Sequence, residues 1–155
     1  MLKMTADEIG AFLQQQETGV LSTCADAEAY GTPESFGYRN GKLYFELAMP
    51  AESKRRTFLT QTDTACFTVQ DAKTARDFAS VIVQGSLDQL SEDGQEAGMA
   101  LAQNDQFPSS HVFPGQDTST VRAFVLEPGS VSGRKGPDFE IDATAASLPV
   151  RGDNE

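Results

Sequence analysis

Hydrophobic and polar residues alternate at a spacing of two along most of this chain, and three stretches depart from that rhythm. In the first, Ile9, Phe12 and Leu13 recur at the three- and four-residue spacing of a helical stripe. Thr5 and Glu8 there fit a capping box, and Met4 and Ile9 stand at the two positions of a hydrophobic staple. Residues 53–61 predict a second, shorter helix that carries Phe58 and Leu59 inward. Ser91 can cap a third over 92–103, whose apolar side is Ala97, Ala100 and Leu101.

The remainder reads as strands. Residues 19–24 predict the first, followed by a polar connection over 25–32. Residues 33–39 predict the second, where Gly37 signals a bulge or a close backbone approach. Asn40-Gly41 then accepts the positive φ angles of a type I′ hairpin turn. The third strand, 42–48, sets Leu43, Phe45 and Leu47 on one face and Tyr44 and Glu46 on the other. Strands follow at 65–69, at 78–90 with an interruption at Gly85, and at 120–127. Pro128-Gly129 predicts a turn into a short strand at 130–132.

Six or so short strands with three modest helices predict a mainly β fold, a small antiparallel barrel with helical cover. A doubly wound parallel sheet is excluded, because the two residues joining the second and third strands are too few for a crossover. The segment 104–119 is long and rich in Pro, Gly and Ser, as functional or mobile loops are. Beyond Gly136 the chain turns polar and Ala-rich, so the expected division is a barrel domain over 1–136 and a loosely held acidic tail over 137–155.

Composition narrows the partners. The 155 residues suffice for one core without disulfides or metals. Cys24 and Cys66 lack a Cys-x-x-C spacing and read as free thiols. Asp and Glu number 23 against 12 Lys and Arg, and a net charge of −11 argues against nucleic acid or an anionic membrane as partner. No apolar run has membrane-spanning length, and the N-terminus reads as a helix rather than a leader; the expectation is a cytoplasmic protein. So acidic and lysine-poor a surface also predicts a halophilic source.

The common catalytic signatures are missing. There is no phosphate loop, dinucleotide fingerprint or nucleophile elbow, and a single histidine, His111, leaves little scope for a metal centre. Arg151-Gly152-Asp153 spells an adhesion tripeptide by chance. One patch stands out: Lys54-Arg55-Arg56 places three cations together in an anionic chain, just after Ser53 at a helix start. Free N–H groups and the positive end of the helix dipole favour a phosphate there, and arginine offers a planar fork. A solvated face of salt bridges with neighbouring acids is the other reading.

Taken in order, these segments resemble the pyridoxamine 5′-phosphate oxidase-like, FMN-binding split-barrel superfamily, and in particular its small nitroimidazole-resistance-type members. The likeness runs through Thr18-Gly-Val-Leu-Ser-Thr, Gly31-Thr-Pro, Asn40-Gly-Lys-Leu-Tyr-Phe and Ser53-Lys-Arg before Phe58-Leu. It continues in Ala65-Cys-Phe-Thr-Val, Ser80-Val-Ile-Val-Gln-Gly and Val131-Ser-Gly-Arg-Lys-Gly.

The resemblance implies a six-stranded Greek-key split barrel, a homodimer, and FMN held between subunits. It implies that Ser53, Lys54 and Arg55 hold the flavin phosphate. The ring is implied to lie along Ser35, Phe36, Gly37 and Tyr38, against Phe45 and Glu46, with Ser80 also at the cofactor. The chain has no Trp and no arginine-rich C-terminal segment, so pyridoxamine phosphate itself is not the expected substrate. The function implied is an FMN-dependent oxidoreductase acting on a small molecule. The residues themselves require no general acid or base; Tyr38, Tyr44 and His111 are the candidates, with a structural role as the other reading of each. A flavin- or haem-binding protein without turnover, a deazaflavin-dependent reductase and a cofactor-free dimeric barrel stay open.

Overall fold

Eight strands and three helices make up the computed structural model, which describes residues 1–91, 95–103 and 119–143. In chain order they are β1 (Leu2–Lys3), α1 (Ala6–Gln15), β2 (Thr18–Ala25), β3 (Glu28–Ser35), β4 (Gly37–Arg39) and β5 (Lys42–Ala48). Then come α2 (Lys54–Gln61), β6 (Thr64–Ala72), β7 (Phe78–Gln89), α3 (Gln95–Leu101) and β8 (Val121–Lys135). All pair antiparallel in one sheet ordered β3-β2-β6-β7-β8-β5-β4, with β1 on the far half of β8.

The two end strands of that path, β3 and β4, are consecutive in the chain and separated by Phe36 alone. The sheet must therefore curl until its edges meet, and the chain joins them there without a ladder. Such a curled antiparallel sheet agrees with the split barrel expected from the sequence. Inside it, Phe67 packs edge-on against both Phe36 and Phe45, with ring centroids 5.0 Å apart in each pair. Leu43, Leu47, Val69, Val81 and Val83 complete this core and are wholly buried.

Local signals that depend on one or two residues hold. Thr5 Oγ1 accepts from the Glu8 N–H at 3.1 Å while Glu8 Oε1 accepts from the Thr5 N–H at 2.9 Å, closing the capping box. Met4 and Ile9 both lie against Gly133. Asn40 and Gly41 have φ of 53° and 77°, as the hairpin turn requires.

Pairing changes four expectations. The polar connection over 25–32 shrinks to the turn Asp26-Ala27, both at positive φ, because β2 and β3 form eight registered pairs that override the polar composition of an edge strand. The single strand at 33–39 divides at Phe36, since its halves belong to opposite ends of the sheet. Pro128-Gly129 does not turn the chain: β8 runs on, and Gly129 is the extra residue of a bulge between the Gln84–Ser130 and Gly85–Pro128 pairs. A side chain at Gly85 would meet the Glu127 carbonyl, so glycine is required there. The count is accordingly eight strands, not six.

The start expected for the third helix at 92–94, the segment 104–118 with His111, and residues 144–155 lie outside the described residues. Residues 137–143 do not hang loose. Phe139 sets its ring edge-on to Phe12 at 5.9 Å, and Arg76 pairs with Asp138 at 3.1 Å. Both cysteines are free thiols, and no described helix is long and apolar enough to cross a membrane.

Candidate functional site

Helix α2 lies inside the curl, over the inner face of the β2–β3 hairpin. Phe58 and Leu59 are its buried side chains, and Phe58 meets Tyr30 of β3 with centroids 5.1 Å apart. Ser53 is the N-cap: its Oγ accepts from the Arg56 N–H at 3.1 Å and donates to the Pro50 carbonyl at 2.7 Å. The next two amides, of Lys54 and Arg55, have no intrahelical acceptor and bond to none of the described residues.

The cations here are shared with carboxylates of β3. Lys54 pairs with Glu28 at 3.0 Å and lies over the rings of Tyr30 and Phe58, while staying half-exposed. Arg55 binds Glu34, a carboxylate only 3% accessible, and donates from Nε to the Ala48 carbonyl at 2.7 Å. Its Nη1 bonds to none of the described residues. Arg56 is exposed and donates from Nη1 to the Met49 carbonyl at 2.9 Å. The salt-bridged face exists, yet two amides and exposed cationic groups remain at the helix start.

The other expected site residues lie in separate places. Ser35 and Ser80 lie on the outer side of the sheet; Ser80 stands in a registered row with Gln70, Arg134 and Lys3. Arg134 stands in the sequence only within Val131-Ser-Gly-Arg-Lys-Gly and without a role; strand register places it beside Ser80. Phe36 and Phe45 are core rings, so only their backbone can face a ligand. Gly37 does provide a close approach, but to α3, because a side chain there would strike the Ala100 backbone. Glu46 is half-buried opposite Ala123. Tyr38 points toward Gly10 of α1, away from α2. One protomer therefore does not gather these residues into one pocket. Ser80 lies three strands from Glu34 and the Arg55 it holds, roughly 14 Å at the usual strand spacing, and on the opposite face.

The phenols are donors at neutral pH. Burial pushes the Tyr38 hydroxyl above its ordinary pKa. Burial, followed by the charge and hydrogen bond of Glu96 at 3.2 Å, does the same for Tyr44. Among the described residues no cluster of His, Cys, Asp and Glu can hold a metal ion.

The outer face has two textures. Helix α3 covers it over β4, β5 and the near half of β8, through Tyr44, Ala97, Ala100 and Val125. The rest is bare. Pro33, Val20, Thr68, Ile82 and Ser132 form one row across five strands, and Gly31, Ser22, Cys66, Gln84 and Ser130 form the next. Val20 and Ile82 are each 43% exposed. Ten registered positions without a charge, on a chain of net charge −11, make a surface unlike the remainder of the molecule.

The sequence profile of the pyridoxamine 5′-phosphate oxidase family matches residues 5–135, from the first helix cap to the last residue of β8. The chain belongs to that family. Solved structures of low identity share the fold of this oxidase-family chain. An FAD-binding protein from Mesorhizobium loti is 22% identical, with a TM-score of 0.67 over 85% of this chain and 95% of its own. A Bacteroides thetaiotaomicron protein assigned to 5-nitroimidazole antibiotic resistance is 18% identical, with a TM-score of 0.65 over 85% of each chain. A heme-binding protein from Mycobacterium smegmatis is 15% identical, with a TM-score of 0.66 over 96% of this chain and 62% of its own. No curated protein matches the sequence.

Proposed function

We propose that this oxidase-family chain is an FMN-dependent oxidoreductase of a small molecule, working as a homodimer in the cytoplasm. The observation that carries the reading is the start of α2, where two free amides and exposed cationic groups converge on a strongly acidic molecule. That donor set fits a phosphate monoester. The Lys54 ammonium and the amides of Lys54 and Arg55 would hold it, with Arg56 and the Nη1 side of Arg55 in reach. The exposed Lys54–Glu28 pair is worth at most about 1 kcal/mol, so a phosphate can draw Lys54 away from Glu28. Arg55 meanwhile neutralises Glu34, which would otherwise repel the ligand.

The two uncharged rows of the outer face support dimerisation, because copies meeting on those rows bury no charge there. When bound, the isoalloxazine supplies the electron-pair chemistry; the protein binds, orients and excludes water. Gln70 and Ser80 offer neutral hydrogen-bonding groups, and Arg134 a cation, along the outer face. Tyr38 and Tyr44 stay protonated at neutral pH and can donate a hydrogen bond but not abstract a proton.

The visible spectrum of the purified protein tests this directly, followed by chromatography of the heat-released cofactor. FMN, together with NAD(P)H oxidation in the presence of an acceptor, is the expected result. Lys54→Ala with Arg56→Ala should weaken FMN uptake at least tenfold while the fold persists. Protein that neither carries nor takes up a flavin ends the proposal. The Mesorhizobium and Mycobacterium neighbours favour a second reading, an FAD- or haem-binding protein without turnover; release of FAD or a haem absorption band would select it.

A further inference from the structure

A cavity of about 370 Å³ opens beneath α1, and no residue of α2 lines it. The sheet leaves it a mouth. On the free side of β8, pairing with β5 stops at Leu126, and pairing with β1 begins at Arg134. Val131 shows the consequence: it lies on the inner face, registered with the fully buried Val83, yet is 42% exposed. The walls are apolar, with Ile9 and Leu13 of α1 facing Leu43, Val83 and Val131, and none of the lining residues carries a charge.

Two features are hard to explain by packing alone. The Tyr38 hydroxyl reaches this cavity and makes no hydrogen bond to any described residue. Above it sits Gly10, in the middle of a ten-residue helix, where glycine costs about 1 kcal/mol relative to alanine. Nothing demands glycine there. A Cβ would have a single neighbour within 4 Å, the Tyr38 hydroxyl oxygen at an ordinary 3.7 Å. The helix forgoes stability and leaves the phenol uncovered. Because burial raises its pKa, that phenol is a neutral hydrogen-bond donor across the physiological range.

We propose that this cavity is a second ligand site, separate from the flavin site, for a neutral aromatic molecule of bicyclic size bearing one acceptor for the Tyr38 hydroxyl. The uncharged lining sets neutrality, since an ion would lose its hydration without a counter-charge. The volume sets the size: a dry cavity of about 150 Å³ holds benzene, and this one has room for a second ring. The single donor sets the acceptor.

The test compares 2-acetylnaphthalene with 2-ethylnaphthalene, which differ at one carbonyl, by fluorescence titration of the full chain with and without added FMN. The ketone should bind about fivefold tighter than the hydrocarbon, the worth of one net hydrogen bond. Tyr38→Phe should bring that ratio to about one. Gly10→Leu, which fills the cavity from a helix that tolerates leucine, should weaken both probes at least tenfold while leaving far-ultraviolet dichroism and FMN uptake intact. Val131→Phe fills it from the opposite wall and should do the same, which guards against a misfolded first variant. Absence of binding by either probe at millimolar concentration overturns the proposal. So does probe binding that survives both filling variants, or competition by FMN, which would make the cavity part of the flavin site. Loss of FMN uptake in Lys54→Ala with ketone binding unchanged would show that the two sites stand or fall separately.

Discussion

Helices α1 and α2 cover the inner face of the same curled sheet, and different forces hold them there. Helix α1 buries Ala11, Phe12 and Leu13 and needs only its capping box and the Glu8–Lys135 pair at its start. Helix α2 buries just Phe58 and Leu59, and two of its cations are fastened to Glu28 and Glu34 of β3. An apolar stripe serves one purpose, since once buried it is unavailable to anything else. A cationic turn can serve two, because an arginine that ties a helix to a strand keeps further donors for a ligand. Part of the charge at the start of α2 is therefore structural, and the rest stays exposed.

Substitutions can separate these roles. The largest effect is expected from Phe12→Ala in α1, about 3 to 5 kcal/mol of stability by urea unfolding, since the ring is wholly buried. A loss under 1 kcal/mol would mean that α1 is not held by its apolar stripe. Next comes Arg55→Ala, at about 3 kcal/mol, because Glu34 would be left as a buried carboxylate without its arginine. A companion Glu34→Leu change should recover much of that loss, and failure to do so would assign Arg55 mainly to ligand binding.

Glu8→Gln should cost about 1 kcal/mol at neutral pH. The hydrogen bond from Lys135, and then the Thr5 backbone N–H, hold the Glu8 pKa below its ordinary value. A lowered carboxylate pKa stabilises the fold above the unfolded-state value, and that contribution fades as pH falls through the folded-state value. The variant and the parent should thus converge in urea midpoint only in acid, and a constant gap down to the lowest pH would refute the linkage. Smallest of all, Lys54→Ala should change stability by less than about 1 kcal/mol, because its pair with Glu28 is exposed and screened by salt. That same change should weaken FMN binding clearly. Added KCl should raise the melting temperature of the whole chain by screening its net charge of −11; a melt independent of molar KCl would count against a halophilic source.

Much of the fold was legible because its signals are local. Thr5 and Glu8 are three residues apart, Asn40 and Gly41 are adjacent, and Leu43, Phe45 and Leu47 alternate in one strand, so short-range chemistry specifies each. The errors fell where distant pairing outweighs local composition. Residues 28–32 look like a loop and are strand because β2 lies beside them. Pro128-Gly129 looks like a turn and is a bulge because β7 runs past it. In the candidate site, the cations of α2 were visible in sequence, but their carboxylate partners lie 21 and 26 residues away and became neighbours only through the register of β3.

Sequence alone determined the helix caps, the hairpin turn, the inward stripe of β5 and the concentration of positive charge at one helix start in an acidic chain. Each is written within a few residues, where backbone geometry and side-chain chemistry act directly. Tertiary structure alone decided that Phe36 closes the barrel, that Gly37 faces a helix, that Arg55 is held by a buried glutamate, and that Tyr38 opens on to a cavity. Those outcomes depend on which strands lie side by side, and that follows from burying one shared core rather than from any segment's own preference.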